Sequence, residues 1–132
     1  VLLLAAEANA RKASPDENKA RNYLNLVRQR AFGTTSRAIT ATGSALQDAI
    51  FDERRVEFVG EGHRFFDLVR TGKAAEAFSA YNTAIDGEDL TEEEKTRRKI
   101  NFTNGKNEVF PIPLEEINLA NAIDSWGQNP GY

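Results

Sequence analysis

Between Asp52 and Arg70 the chain concentrates groups that can move protons or bind metal. Glu53, Glu57, Glu61 and Asp67 stand beside His63, and Arg54, Arg55, Arg64 and Arg70 are interleaved with them. Two chemistries are open to such a set. Carboxylates beside an imidazole can serve as general acid and base. The same carboxylates beside guanidinium groups form a structural ion network. Arginine neighbours hold a carboxylate ionised, which is wrong for a general acid. The abundance of arginine therefore favours a structural charge network of Glu53, Arg54, Glu57, Glu61, Arg64, Asp67 and Arg70, with no catalytic residue. Arg54, Arg55, Arg64 and Arg70 are the expected partners of the carboxylates, because they are nearest in sequence. Arg64 and Asp67, and Asp67 and Arg70, lie three apart, so each pair can meet on one helix face.

Glu57, Glu61 and His63 also invite a metal reading. Gly60 and Gly62 interrupt them, and His63 is the one histidine of the chain. No His-Glu-x-x-His pattern is present, and the ligand types fall short of the usual sets. Neither a metal nor another cofactor is expected. Of the aromatics, Phe51, Phe58, Phe65 and Phe66 crowd the charged stretch and read as core. Trp126 and Tyr81 fall near predicted loops or ends. They are the two candidates for stacking on a sugar ring, a task that suits an apolar ring with a polar handle. Residues for any such contact are otherwise unassigned.

The elements that must position these groups are helical. Val1–Lys12 reads as a helix without a start signal, as if cut from a longer chain. Any anchor or targeting signal would then lie upstream. Ser14-Pro15-Asp16-Glu17 reads as a capping box opening a second helix, with Ala20, Leu24, Val27 and Ala31 at helical spacing and Gly33 as its stop. The two would form one tetratricopeptide-like helical pair, of about the length of that repeat. Thr34–Gly43 reads as a loop. A third helix, about Ser44 to Val59 with Ser44 and Gln47 as a capping box, carries the stripe Leu46, Ala49 and Ile50 onward into Glu53 and Glu57. Short helices follow at about His63–Thr71 and Lys73–Asn82. Thr91 opens a charged helix whose acidic start and basic end suit the helix dipole. Residues 99–110, with Asn104-Gly105 at the centre, predict a small β-hairpin. Leu114 to about Asn121 reads as a last helix, with Pro113 leading into it. The fold class is all-α, mostly helical, with that one hairpin.

Composition narrows the function classes. The chain has 132 residues, 40% hydrophobic and 28% charged, which is enough to bury a core and too apolar for disorder. A net charge of −3 without a basic patch argues against nucleic acid. The apolar run Val1–Ala6 is far too short to cross a bilayer. Cysteine is absent, which excludes disulfides and thiolate sites.

Set side by side, several runs carry a resemblance. Glu53-Arg54-Arg55-Val56-Glu57-Phe58, followed by Glu61-Gly62-His63-Arg64-Phe65-Phe66-Asp67-Leu68-Val69-Arg70, resembles the ERR-x-EL…EG-x-R-x-x-DL-x-R signature of the SusD/RagB family. Leu3-Leu4-Ala5-Ala6-Glu7-Ala8 is similar to its LL-x-AEA helix, and Asn25–Ala31 to its LN-x-VR-x-RA helix. Phe110-Pro111-Ile112-Pro113 with Glu116-Ile117 resembles the FPIP-x-x-EI element, and Gln128–Tyr132 the terminal QNPGY. The motifs stand in family order along nearly the whole chain.

The resemblance implies the C-terminal portion, residues 1–132, of a SusD/RagB-like domain whose N-terminal helical repeats and lipid anchor lie outside this chain. It implies a Bacteroidota lipoprotein on the extracellular face of the outer membrane. Such a protein captures glycans for a TonB-dependent, SusC-like transporter and does not cleave them. Glycan and transporter would be its partners, and the membrane would be met only through the anchor. The signature residues carry over as structural. A helical-repeat interaction adaptor is the rival reading, weakened by the single helical pair. A glycan-cleaving enzyme would need two carboxylates set across a bond, and every carboxylate cluster here is rich in arginine.

Overall fold

A computed structural model describes residues 1–121 and 126–132. Seven helices are present among them: α1 (Leu2–Arg11), α2 (Glu17–Phe32), α3 (Gly43–Glu57), α4 (His63–Arg70), α5 (Ala74–Asp86), α6 (Glu92–Arg98) and α7 (Leu114–Asn121). The chain forms two compact units, Val1–Arg64 and Phe65–Tyr132.

In the first unit three amphipathic helices share one core. α1 buries Leu3, Ala6 and Ala10, α2 buries Ala20, Leu24 and Val27, and α3 buries Leu46 and Ile50. Each set recurs at three- and four-residue steps, so each helix turns one stripe inward. Ala6 and Ala20 are fully buried. Their small side chains let α1 and α2 pack closely, with Leu24, Leu46 and Ile50 filling the space between helices. Ala31, expected on the buried stripe, is exposed.

The caps differ from the sequence expectation. α2 is capped by Asp16, whose carboxylate accepts from the Lys19 backbone N–H at 3.0 Å, so the helix begins after Pro15 and not at Ser14. Aspartate accepts from an N-terminal N–H and also favours the positive end of the dipole, and here it takes the position. α3 has no side-chain cap from Ser44. Glu17 on α2 accepts the Gly43 N–H instead, at 2.8 Å, which pins the start of α3 to the preceding helix. Gly33 closes α2 at φ 66°, the left-handed geometry its position required.

The connection from α2 to α3 is extended and is held by a side-chain amide. Asn25 donates to the Ile39 carbonyl at 3.0 Å and accepts the Ile39 N–H at 2.8 Å. One amide thus gives a backbone residue both partners that a neighbouring strand would supply.

In the second unit Leu68, Ala74 and Ile85 are buried. Phe65, Phe66, Phe78, Phe102 and Phe110 form a chain of ring contacts. α5 runs to Asp86, past the expected end at Asn82, because nothing between Tyr81 and Asp86 stops a helix. α6 carries a full capping box: Thr91 accepts from the Glu94 N–H, and Glu94 accepts from the Thr91 N–H. Asn82 and Gln128 repeat the amide clamp. Asn82 holds both backbone groups of Ile100 at 2.9 Å, and Gln128 holds those of Ile112 at 2.6 and 2.8 Å.

The expected hairpin is not formed: no strand occurs among the described residues. A tight Asn-Gly hairpin turn needs positive φ at both central residues. Gly105 has φ 78°, but no residue other than glycine is positive, so Asn104 does not join it. Side chains take the ladder's donors instead. Asn107 accepts the Thr103 N–H at 2.7 Å and Glu108 accepts the Gly105 N–H at 3.0 Å, which leaves a series of turns.

Candidate functional site

The charged residues singled out in the sequence divide into three settings. The first is the three-helix core. Arg54, 6% exposed, continues the α3 stripe two turns beyond Leu46. The extension of the buried face is therefore arginine, with Glu53 and Glu57 beside it and partly exposed. The Arg54 Nε lies 4.0 Å from an oxygen of Glu7 on α1, and its guanidinium lies 5.2 Å from the Phe58 ring centroid. Glu53 meets Arg28 of α2 at 2.5 Å, and Glu57 meets Arg30 of the same helix. Glu53 and Glu57 thus find their arginines on α2, not among the neighbours in sequence. The reason is geometric: α3 packs on α1 and α2, so their charged flanks are the groups within reach.

Arg28 does more than pair with Glu53. Its Nε donates to the Arg37 carbonyl at 2.8 Å, and its guanidinium lies 5.1 Å from the Phe32 centroid, as does that of Arg37. One side chain thereby ties α2 to α3 and to the loop after Gly33. The planar, multi-donor guanidinium is suited to this, and a lysine is not.

The second setting is the turn after α3. Glu61 and His63 are both more than half exposed, with 3.6 Å between Oε2 and Nε2. His63 lies edge-on to Phe58 at 5.4 Å. Arg64 places its guanidinium 4.3 Å over the Phe51 ring. Arg55 lies 3.9 Å from Asp52 in an exposed pair. Gly60 and Gly62, at φ 82° and 75°, shape this turn. The third setting is α4 in the second unit. Asp67, buried, accepts from Nε and Nη2 of Arg70 on one oxygen, at 2.9 and 2.6 Å.

The arrangement can hold helices together. Among the described residues no three His, Asp or Glu side chains gather as a metal site needs. Trp126 is 57% exposed and its backbone N–H donates to the Asn121 side-chain oxygen at 2.5 Å; Tyr81 is 42% exposed on α5. Both are on the surface, where an aromatic ring can meet a ligand.

The sequence reading missed Glu7, Arg28 and Arg30. Glu7 was readable: it lies four residues after Leu3 and three before Ala10, on the buried face of α1. Arg28 and Arg30 follow Val27 at the edges of the α2 stripe and carry no such signal, since charged residues beside a stripe are ordinary solvated positions.

The charged frame at α1–α3 and the turn of positive-φ glycines coincide with the motif runs of one family. Residues 1–132 match the SusD family. The chain belongs to that family, which is one of non-catalytic binding proteins. SusD-like protein P25 of Formosa agariphila is 40% identical over all of this chain, and SusD-like protein P38 of the same organism is 36% identical over 62% of it. The chain spans 23% of the length of the first and 17% of the second. No solved structure matches.

Proposed function

We propose that residues 1–132 are the C-terminal portion of a glycan-binding lipoprotein on the extracellular face of the outer membrane. The whole protein captures oligosaccharide or polysaccharide and passes it to a TonB-dependent, SusC-like transporter. The observation that carries this reading is the match to the SusD family from the first residue to the last. The charge network supports a framing role for this region: its arginines lie on carboxylates and rings, tying α3 to α1 and α2. On this reading the whole protein binds its glycan without cleaving it. Anchorage and most of the ligand cleft belong to sequence outside this chain.

The test is made on the full-length polypeptide. Calorimetric titration against a panel of soluble plant and algal glycans is expected to give saturable binding to at least one, with no release of reducing ends. Affinity purification from membranes is expected to bring down a β-barrel transporter. Hydrolysis of the bound glycan, or binding to none of the panel, would remove the reading.

A further inference from the structure

The second unit contains a polar groove that the framing role does not use. It lies between α5 and the extended residues 100–102, encloses about 300 Å³ and is lined by Phe78, Ser79, Asn82, Asp86, Asn101 and Phe102, among others. Its two walls are fixed to one another. Asn82 binds the N–H and the carbonyl of Ile100, and Lys99 Nζ meets Asp86 at 2.5 Å. Its lining includes two rings, Phe78 and Phe102, with centroids 5.2 Å apart. Among the described residues the Ser79 hydroxyl and the Asn101 amide make no hydrogen bond.

We propose that this groove is a subsite for a neutral pyranose unit of an oligosaccharide. The volume admits one ring. Sugar rings present an axial C–H face to aromatic carbon and equatorial hydroxyls at the edge, and the groove offers both kinds of partner. Asn101 supplies donors and an acceptor, and Ser79 a donor and an acceptor. Asp86 adds a carboxylate whose charge is met by Lys99. Among the described residues the lining carries a carboxylate and no cation of its own, which disfavours sulfated or uronic units. The groove is preformed, because the clamp and the ion pair hold its walls, and so binding orders little further chain.

The proposal rests on the glycan reading and is tested apart from it. The chain is labelled with nitrogen-15 and titrated in parallel with maltotetraose, cellotetraose and mannotetraose. A lone subsite of this size is expected to bind one of them with a dissociation constant on the order of 1 mM, a range that shift mapping resolves. The expected result is displacement of the Asn101 and Asn82 side-chain amides and of the backbone amides at 100–102. Asn101→Ala and Ser79→Ala are surface changes expected to leave the melting temperature in place and to weaken binding about tenfold each. Asn101→Asp, under the same titration, removes the amide donors and is expected to weaken it as well. No displacement at these residues with any of the three sugars, or affinity unchanged in both alanine variants, overturns the groove. Glycan binding by the full-length protein would then still stand, with its contacts elsewhere.

Discussion

At the scale of single residues, burial separates the arginines that hold the fold from those that decorate it. Arg54 sits in the core beside Glu7 and over Phe58, while Arg97 pairs with Glu93 at 3.7 Å with both side chains largely in water. Removing one partner of a buried ionic contact leaves the other charge uncompensated, at about 3 kcal/mol or more, whereas an exposed pair contributes under about 0.5 kcal/mol. Arg54→Ala is therefore expected to lower the urea midpoint strongly at unchanged slope, and Arg97→Ala to leave it in place. Equal, small shifts in the two variants would refute this division. The sequence made the density of charge plain but misdirected the pairing. Pairing by sequence neighbourhood works for Asp67 and Arg70, which share a helix. It fails for Glu53, whose partner Arg28 is brought to it by the packing of α3 on α2.

At the scale of elements, helices were legible because periodicity and stop signals are local. Gly33 and the Thr91 cap stand where the residue types put them. The hairpin was misread because Asn-Gly is permissive and not sufficient: side chains at Asn107 and Glu108 competed for the same backbone donors and took them. Two predictions belong here. Gly33→Ala forces a side chain into left-handed geometry and is expected to cost about 1 kcal/mol, while Gly127→Ala, which lacks a positive φ, is expected to cost far less. Thermal melts of both would decide it.

The second element-scale prediction concerns acid. Hydrogen bonds from the Thr91 side chain and backbone hold the Glu94 carboxyl below its ordinary value of 4.5, aided by Arg98. A carboxyl lowered in the folded state adds stability above its unfolded value and loses it as pH falls through the folded one. The start of α6 should thus be intact at neutral pH and fray on acidification below 4.5. Carbon-α shifts of Glu92–Lys95 would show it. Thr91→Ala, which removes the hydroxyl and keeps the backbone N–H, should weaken that pH dependence, and a variant in which it is unchanged would place the cause elsewhere.

At the scale of the whole molecule, the family was legible in the sequence and the binding site was not. The motif runs mark buried stripes, caps and turns, which are what a fold must keep. Trp126 and Tyr81 were singled out as aromatics near predicted ends, a criterion that says nothing of depth or neighbours. The chain covers 23% of P25, so its own affinity for glycan is expected to be at least tenfold weaker than that of the full-length polypeptide. Calorimetry on both with one glycan measures this, and equal affinities would move the main site into residues 1–132.

The amide clamps at Asn25, Asn82 and Gln128 have a bearing on the medium in which such a protein works. The loops at Ile39, Ile100 and Ile112 are each fixed by an uncharged group that bonds in both directions. Exposed pairs such as Arg97 with Glu93, at 3.7 Å, hold by charge alone. At about 1 M ionic strength the screening length shrinks to about 3 Å, and such exposed pairs lose much of their attraction. The clamps have no charge to screen. Brine should therefore weaken the exposed ion pairs and leave the clamped loops at Ile39, Ile100 and Ile112 as they are, each within its own unit.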